Sequence, residues 1–421
     1  MSISEILAKK RDGLELEPEE IAFFVQGVVC GSIPDYQASA WLMAVWIRGM
    51  TDRETLALTL AMRDSGEKID LTDLPGRPAL DKHSTGGVGD KTTLIVVPIL
   101  AAAGVPMLKM SGRGLGFSGG TIDKLEAIPG FRCELSISEA KEQVREIGAA
   151  LIAQSKLLAP ADKILYALRD VTATIESIPL IASSIMSKKL AAGADRIVLD
   201  VKVGKGAFMK TMEEAQRLAA ALENIGEQAG VPTFAFLTEM NEPLGYAVGN
   251  ALEVAEAWNL LKSPESAEPK LLKLCLSLVA HGLIAVGKCD IESEGIEIAS
   301  KLLYSGDAAR KFEEIAVRQG GDLSKLPLAP IQVQVFPPHV GTLVEILGEG
   351  IGRLAMEMGA GRKTKQDVID PATGIVFHRK TGDFVNSESP FATLHLRQKD
   401  ETRSVEFTQA LLSNCRFSSV D

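Results

Sequence analysis

Cysteine is scarce in this sequence, and long hydrophobic runs are missing. The five cysteines are scattered, odd in number and form no C-x-x-C pair, so we expect reduced thiols in a cytoplasmic protein. The longest apolar run, LIVVPILAAAGVPML at 94–108, is too short to span a membrane and is interrupted by two prolines and a glycine. The first residues, MSISEILAKKRDG, lack the apolar segment of a signal peptide.

An excess of positive charge is also missing. Lys and Arg number 45 against 55 Asp and Glu, which gives a net charge of −10. This balance argues against nonspecific binding to nucleic acid or to anionic membranes, because both need a basic surface. A small anionic substrate is still compatible with the sequence if basic residues cluster locally. At 421 residues, the chain has room for two or three domains.

Three predicted secondary-structure patterns follow one another along the chain. Residues 1–66 have only helical patterns, with capping-box spacing at Ser2–Glu5 and Thr51–Glu54, and a polar linker follows at 67–78. From residue 79, strands alternate with helices, which is typical of a parallel sheet. The pattern becomes β-rich from residue 331.

We therefore predict an α/β protein with three domains. The first is a small all-helical domain, 1–66, completed by 160–192. The second is a large α/β phosphate-binding domain, 79–155 and 193–330, with a mixed, mostly parallel sheet. The third is a small α+β C-terminal domain, 331–421.

The stretch DKHSTGGVGDKTT, 81–93, looks like a phosphate-binding P-loop. That motif requires G-x-x-x-x-G-K-[ST], and counting back from Lys91 puts Thr85 and Asp90 at the two glycine positions. The carboxylate of Asp90 would also repel a phosphate cradled there. The P-loop interpretation is rejected.

A second glycine cluster, SGRGLGFSGGT at 111–121, contains the dinucleotide-binding pattern at Gly114, Gly116 and Gly119. The helix expected after it is cut short by Pro129-Gly130, which is too early for the usual crossover helix. Dinucleotide binding stays as an alternative enzyme hypothesis.

The two clusters together are more informative than either alone. Each follows a predicted strand and precedes a predicted helix, so both should open at the carboxyl edge of a parallel sheet, where ligands bind. Backbone N–H groups, cations and hydroxyls there suit one phosphate held between two loops. The candidates are Lys82, His83, Ser84 and Thr93 from the first loop, and Lys109, Ser111 and Thr121 from the second.

Four separated motifs carry a resemblance to a known family. They are DKHSTGGVGD, KMSGRGLG with GGTIDKLE, LYALRDVTATIESIPLI with SIMSKKLA, and DVKVGKGAFM. The chain closely resembles the pyrimidine-nucleoside phosphorylases, the group that includes thymidine phosphorylase, essentially from end to end. More distantly, it resembles anthranilate phosphoribosyltransferase.

The resemblance implies a pentosyltransferase of nucleoside salvage. The reaction is reversible phosphorolysis of pyrimidine nucleosides or deoxynucleosides to free base and pentose 1-phosphate. It needs no organic cofactor, and inorganic phosphate is the co-substrate. The resemblance also implies a homodimer through the helical domain, with Phe23, Phe24, Trp41 and Trp46 as candidates for its surface, although core packing would explain the same residues.

The resemblance further assigns residues to roles. Phosphate would be bound by Lys82, Ser84, Thr93, Lys109, Ser111 and Thr121. The pyrimidine would be gripped by Arg169, Ser184 and Lys188, with Tyr166, Ile181, Ile185 and Phe208 as apolar walls. His83, Arg169 and Lys188 are the catalytic candidates, and His83 would donate a proton or a hydrogen bond to the base. A cleft closing about 67–78, 153–160 and 190–195 is expected.

Two positions depart from the family pattern. Phe117-Ser118 stands where many relatives have His-Thr, which puts the substrate range in doubt. Lys91 stands where some relatives have a threonine that helps to bind a monovalent cation, with ligands corresponding to Gly89, Leu244, Ala247 and Glu256. We hypothesise that the Lys91 ammonium occupies the place of the ion and pairs with Glu256.

Two alternatives to phosphorolysis stay open. One is transfer from phosphoribosyl diphosphate, as in anthranilate phosphoribosyltransferase, which would need a diphosphate and metal site. The other is binding of nucleoside or phosphate without catalysis. Both a thymidine-specific enzyme and one that also accepts uridine are compatible with the sequence.

Overall fold

The computed structural model describes residues 1–114, 119–155, 157–362, 364 and 367–419. The helices are α1 (Ile3–Arg11), α2 (Pro18–Cys30), α3 (Asp35–Arg48), α4 (Asp52–Asp64), α5 (Thr92–Ala102), α6 (Thr121–Glu126), α7 (Ile137–Ile147), α8 (Pro160–Val171), α9 (Ile178–Ala191), α10 (Met212–Gln228), α11 (Asn250–Lys262), α12 (Pro269–Ala285), α13 (Glu292–Tyr304), α14 (Asp307–Arg318), α15 (Gly348–Ala355) and α16 (Glu401–Ser413). The strands are β1 (Leu80–Ser84), β2 (Met107–Ser111), β3 (Ala149–Ala153), β4 (Arg196–Val203), β5 (Thr233–Glu239), β6 (Ala247–Val248), β7 (Ile331–Val335), β8 (Gly341–Ile346), β9 (Gly374–Phe377), β10 (Phe384–Val385), β11 (Ala392–Leu396) and β12 (Cys415–Ser419).

Helices α1 to α4 share one hydrophobic core with α8 and the start of α9, which come from the middle of the chain. Thr51 and Glu54 form the predicted capping box at the start of α4, whereas the Ser2 side chain makes no cap hydrogen bond. Glu54 is buried and also accepts hydrogen bonds from Lys10 Nζ at 2.8 Å. The carboxylate of Glu54 therefore ties α1 to α4. The rest of α9 packs against α10 and β4, so this helix joins the bundle to the α/β region.

The α/β region is built on parallel strands. β1 pairs with β4 and β4 with β5, while β2 pairs with β3, all in parallel. The backbone N–H of Leu80 donates to the Pro106 carbonyl at 3.1 Å, which brings β1 beside β2. Because these strands run the same way, their carboxyl ends at Ser84 and Ser111 lie at one edge.

In the described part of the C-terminal region, antiparallel strands are accompanied by helices α15 and α16. β8 pairs with β10 and β12, and β11 pairs with β7 and β9. β6 precedes this region in the chain but pairs with β9, so it joins the α/β region to the C-terminal region. The predicted class, with a small helical domain, a large α/β domain and an α+β C-terminal domain, is confirmed. The prediction was a mixed, mostly parallel sheet, and the strand pairs described in the α/β region are parallel. Within the described residues, no helix has both the length and the apolar character that crossing a membrane requires.

Candidate active site

One cavity lies where the carboxyl ends of β1 and β2 face helix α9, and its volume is about 210 Å³. It brings together seven of the predicted site residues: His83, Ser84, Thr93, Lys109, Ser111, Thr121 and Lys188. Both glycine clusters therefore contribute to a single space, as their positions after parallel strands predicted.

A second cavity, of about 480 Å³, adjoins the first and extends along helix α8. Tyr166 and Asp162 line only this second space. Gln154 and Lys188 line both, so the hydroxyl-rich space at the strand ends communicates with the space beside the helical bundle.

The first loop is organised by the carboxylate of Asp90. Its Oδ2 accepts from Ser84 Oγ at 2.5 Å, and its Oδ1 accepts from the backbone N–H and the hydroxyl of Thr92 at 3.1 and 2.6 Å. Burial alone would raise the pKa of Asp90, but the ammonium groups of Lys82 and Lys202 outweigh it and hold that pKa far below its usual range. Asp90 is thus a permanent anion that orients the Ser84 hydroxyl.

Lys82 is placed behind the first loop, and its contact with phosphate stays a prediction. Its side chain is buried two residues before the end of β1, and Nζ donates to Thr92 Oγ1 at 2.6 Å and lies 3.8 Å from Asp200 Oδ2. Lys82 is absent from the described lining of the cavity. Its charge acts from behind the loop, through Asp90 and Thr92, because the start of α5 covers its ammonium group.

Lys109 does line the cavity, and it belongs to a buried group of charges. Its Nζ donates to the Met110 carbonyl at 2.7 Å and lies 3.3 Å from Asp81 Oδ1. Asp81 is also paired with Lys189 of α9 at 2.8 Å. Burial lowers the pKa of Lys109 to about 7, although Asp81 counteracts part of that effect. The charge of Lys109 is therefore sensitive to pH in the physiological range.

His83 is neutral at the edge of this group. Burial, together with the nearby ammonium groups of Lys189 and Lys109, holds the pKa of His83 well below its usual value. Of its two predicted roles, the placement favours a hydrogen-bond partner over an imidazolium that donates a proton, because imidazolium is scarce at pH 7.

Ser184 and Lys188 lie one turn apart on α9. Lys188 Nζ donates to Ser184 Oγ at 2.9 Å and pairs with the carboxylate of Asp162 on α8. Asp162 is buried, so it fixes the lysine head at the junction of the two cavities. Of this pair, Lys188 is the one that lines both spaces.

Arg169 is placed differently from the prediction. Its guanidinium is buried and donates to the carbonyls of Thr174, Leu180 and Ile175 at 3.2, 3.0 and 2.5 Å. It lines neither cavity among the described residues. Since a guanidinium carries five N–H groups, two are left for a ligand. In this structure the guanidinium holds the turn after α8 and the first turn of α9, and its contact with the base stays a prediction.

Of the four residues predicted to form apolar walls around the base, one lines a described cavity. Tyr166 lines the second cavity, and its ring lies 5.8 Å from the Arg169 guanidinium carbon. Ile181 and Ile185 pack against the core that α9 shares with β4, and Phe208 is exposed. These three residues are not on the described lining of either cavity.

Lys91 reaches the oxygen atoms of the predicted cation ligands. Its buried Nζ donates to the carbonyls of Leu244 and Ala247 at 2.8 and 2.9 Å, and to Glu256 Oε2 at 2.5 Å. Gly89 lies against the same segment, since a Cβ there would come within 2.6 Å of the Leu244 carbonyl oxygen. The Lys91 ammonium is therefore held by three oxygen acceptors.

Phe117-Ser118 and Gly116 lie outside the described residues. Other lining residues were missed by sequence reasoning, among them Gln154, Asp162 and Lys189. The role of Asp90 in orienting the Ser84 hydroxyl was not predicted either. A usable signal for Gln154 was available, because it directly follows β3, whose carboxyl end lies at the same edge as those of β1 and β2.

Comparisons with known proteins agree along nearly the whole chain. The profile of the glycosyl transferase family a/b domain matches residues 76–309, that of the helical bundle domain matches 4–66, and that of the pyrimidine nucleoside phosphorylase C-terminal domain matches 342–412. The chain is 51% identical over 406 residues to a pyrimidine-nucleoside phosphorylase of Bacillus subtilis (strain 168), covering 95% of this chain and 93% of the relative.

A pyrimidine-nucleoside phosphorylase of Staphylococcus aureus (strain MSSA476) is 49% identical over 406 residues, with the same coverage of 95% and 93%. Among solved structures, anthranilate phosphoribosyltransferase from Thermus thermophilus superposes with a TM-score of 0.61 at 22% identity, over 74% of this chain and 98% of the other. At 22% identity, the likeness to anthranilate phosphoribosyltransferase concerns the fold alone.

Proposed function

The chain belongs to the pyrimidine-nucleoside phosphorylase family, and from this membership we propose that it catalyses reversible phosphorolysis of pyrimidine nucleosides. Nucleoside and inorganic phosphate are its small-molecule substrates, and free base and pentose 1-phosphate are its products, as in nucleoside salvage. The observation that carries the proposal is the lining of one cavity by Ser84, Ser111 and Thr121 on one side and by Lys188 on the other.

On the phosphate side, the residues offer cationic and hydroxyl donors. Lys109 supplies the charge, and Ser84, Thr93, Ser111 and Thr121 supply hydroxyls. The Ser84 proton points at Asp90 in this structure, so phosphate binding requires that proton to turn to a phosphate oxygen. Asp90 then keeps its bonds to Thr92 and holds the loop in shape. Fixing the nucleophile in this way removes much of the entropic part of the barrier.

On the base side, the task is to stabilise a pyrimidine that gains negative charge as the glycosidic bond breaks. The Lys188 ammonium suits a carbonyl oxygen that becomes more negative in an oxocarbenium-like transition state. Ser184 can accept from a ring N–H, and the two unused N–H groups of Arg169 can reach the base if its turn adjusts. Neutral His83 also lines this cavity and can donate a hydrogen bond to a base oxygen.

The assay that tests the proposal is phosphate-dependent release of base. Thymidine, deoxyuridine and uridine should each be incubated with and without phosphate, and separately each base with phosphoribosyl diphosphate. Phosphorolysis predicts release only with phosphate and no product from phosphoribosyl diphosphate. The reverse pattern would support the phosphoribosyltransferase alternative, and tight binding of both substrates without turnover would support a sensor.

A pH prediction follows from Lys109. Because its pKa is lowered to about 7, the lysine is cationic below that pH and neutral above it, so anions should bind more tightly at low pH. Sulfate keeps its charge between pH 6 and 8, and its inhibition constant against phosphate should rise about tenfold across that range. Lys109→Arg stays charged and should flatten the profile. A wild-type profile as flat as that of the variant would contradict this role.

We also propose that the Lys91 ammonium takes the place of a monovalent cation. Its three oxygen acceptors support this, because carbonyl and carboxylate oxygens are also the ligands that a potassium ion prefers. No organic cofactor is proposed. The five cysteines are free, which supports a proposed cytoplasmic location.

The helical region supports a proposed homodimer. Phe24 and Trp41 belong to the core of this region, where their rings stack at 4.2 Å. They are therefore not part of the proposed dimer surface. Phe23 and Trp46 are exposed, as is Ile47 beside them in the sequence. Light scattering should give the mass of two chains, and Trp46→Glu with Ile47→Glu should give the mass of one. An unchanged mass in the double variant would contradict this surface.

A further inference from the structure

The second glycine cluster is joined at its two described ends. The backbone N–H of Ile122 donates to the Gly112 carbonyl at 3.2 Å, which closes the segment where α6 begins. Gly120 lies so close to the incoming chain that a Cβ there would come within 2.0 Å of the Gly114 nitrogen. Ser111 and Thr121 flank this junction, so their relative position depends on it.

A buried carboxylate fastens the junction. Asp123 is 5% exposed, and its Oδ2 accepts from the Gly114 backbone N–H at 2.6 Å. Its Oδ1 accepts from Arg362 Nη1 at 2.8 Å. Arg113 Nη1 lies 3.7 Å from the same oxygen but also binds Glu126 and is 42% exposed. Arg362, with 21% of its side chain exposed, is the more buried cationic partner of Asp123.

Arg362 comes from the C-terminal region. This region contributes none of the lining residues described for the first cavity, the one at the ends of β1 and β2. Its backbone is held nearby, since Asn250 Nδ2 of α11 donates to the Ala360 carbonyl at 2.9 Å. A small separate cavity behind the glycine loop is lined by Gly114 and Asp123 on one side and by Gly361 and Arg362 on the other. Through Arg362 and Asp123, the C-terminal region therefore supports Gly114 of the second glycine cluster.

We propose that Arg362 is a positioning residue for phosphate, which acts through Asp123 and the Gly114 amide to hold Ser111 and Thr121 in their binding arrangement. This proposal rests on the proposed function, because it concerns the phosphate half of that site. Removing the guanidinium leaves a buried carboxylate without its main cationic partner, so residues 112–114 should lose their fixed position beside Thr121. Among the described residues, the hydrogen bond and the ion pair of Arg362 go to Asp123, and neither goes to the nucleoside half on α8 and α9.

The test compares Michaelis constants in the full-length enzyme. Arg362→Met should raise KM for phosphate about tenfold, the loss of one charge-assisted hydrogen bond, while KM for thymidine changes less than about twofold. Arg362→Lys should recover part of the phosphate affinity. Asp123→Asn should reproduce the defect, and the double variant should be no worse than either single variant, because both act through one contact.

Arg397→Met is the matched control. Arg397 also lies in the C-terminal region and pairs with a carboxylate, Asp370 at 3.6 Å, but its side chain is 64% exposed. The Arg397→Met variant should have the same Michaelis constants for phosphate and thymidine as the wild type. An unchanged phosphate KM in Arg362→Met, or an equal rise in both constants with a lower melting temperature and no recovery in Arg362→Lys, would overturn the proposal. Absence of phosphorolysis in the wild type would instead refute the proposed function.

Discussion

Replacing Lys188 by methionine is expected to lower kcat/KM for thymidine phosphorolysis by about 10²- to 10³-fold. The ammonium group lies where the two cavities meet and is oriented by Asp162 and Ser184. A donor held in place before the reaction stabilises charge on the departing base without reorganisation, and methionine offers none. Steady-state kinetics with saturating phosphate would measure the loss, and KM for phosphate should change little.

Stability must be separated from catalysis in this experiment. Lys188→Met leaves the buried Asp162 carboxylate unpaired, so the variant should also melt at a lower temperature. Adding Asp162→Asn should restore much of that stability but none of the activity. Lys301→Met removes an exposed lysine that is paired with Glu297 and serves as the control. Near-normal kcat/KM in Lys188→Met would contradict the assigned role.

Replacing Lys91 by methionine is expected to reduce the free energy of unfolding by about 3–5 kcal/mol. The Lys91 side chain is 0% exposed and that of Glu256 is 14% exposed, so the substitution leaves a shielded carboxylate facing two carbonyl oxygens. Chemical denaturation in a buffer without potassium or sodium would measure the change. Glu256 would keep its bonds from the Tyr246 and Ala247 backbone N–H groups at 2.6 and 2.8 Å.

Lys91→Thr tests the substitution of an ion by an ammonium group more directly. The shorter side chain leaves space among the oxygens of Leu244, Ala247 and Glu256, where a potassium ion can bind. Activity and melting temperature of this variant should therefore rise with potassium, whereas the wild type should not respond. Tetramethylammonium chloride at equal ionic strength is the control. A wild-type enzyme that needs potassium would contradict the proposal.

The strand ends and glycine clusters were predictable because parallel strands place their loops at one edge. The orientation of individual side chains was not. Lys82 belongs to the same motif as Ser84, yet the start of α5 covers its ammonium group and Ser84 reaches the cavity. Arg169 has the residue type for a base contact, but two carbonyls of the turn after α8 and one of α9 accept three of its five N–H groups. Such competition between partners depends on tertiary packing, which a motif does not record.

Helix α15 shows a different limit of sequence reasoning. Its sequence, GEGIGRLA, contains three glycines, which disfavour a helix and suggest a turn. In the structure, a Cβ at Gly350 would come within 1.7 Å of Asn414 Oδ1, and one at Gly348 within 3.1 Å of the Gly206 Cα. Glycine is used there for close packing. The pairing of Arg362 with Asp123 spans 239 residues, a separation at which no local pattern gives a signal.

We propose that this cavity transfers a pentosyl group from a pyrimidine to inorganic phosphate. Phosphorus-31 NMR of the enzyme with thymidine and phosphate tests it most directly, because the phosphate ester itself is observed. A pentose 1-phosphate signal should appear in step with free thymine, one for one, and should disappear when excess thymine is added. Release of thymine without any new phosphate ester, or no reaction at all, would contradict the claim.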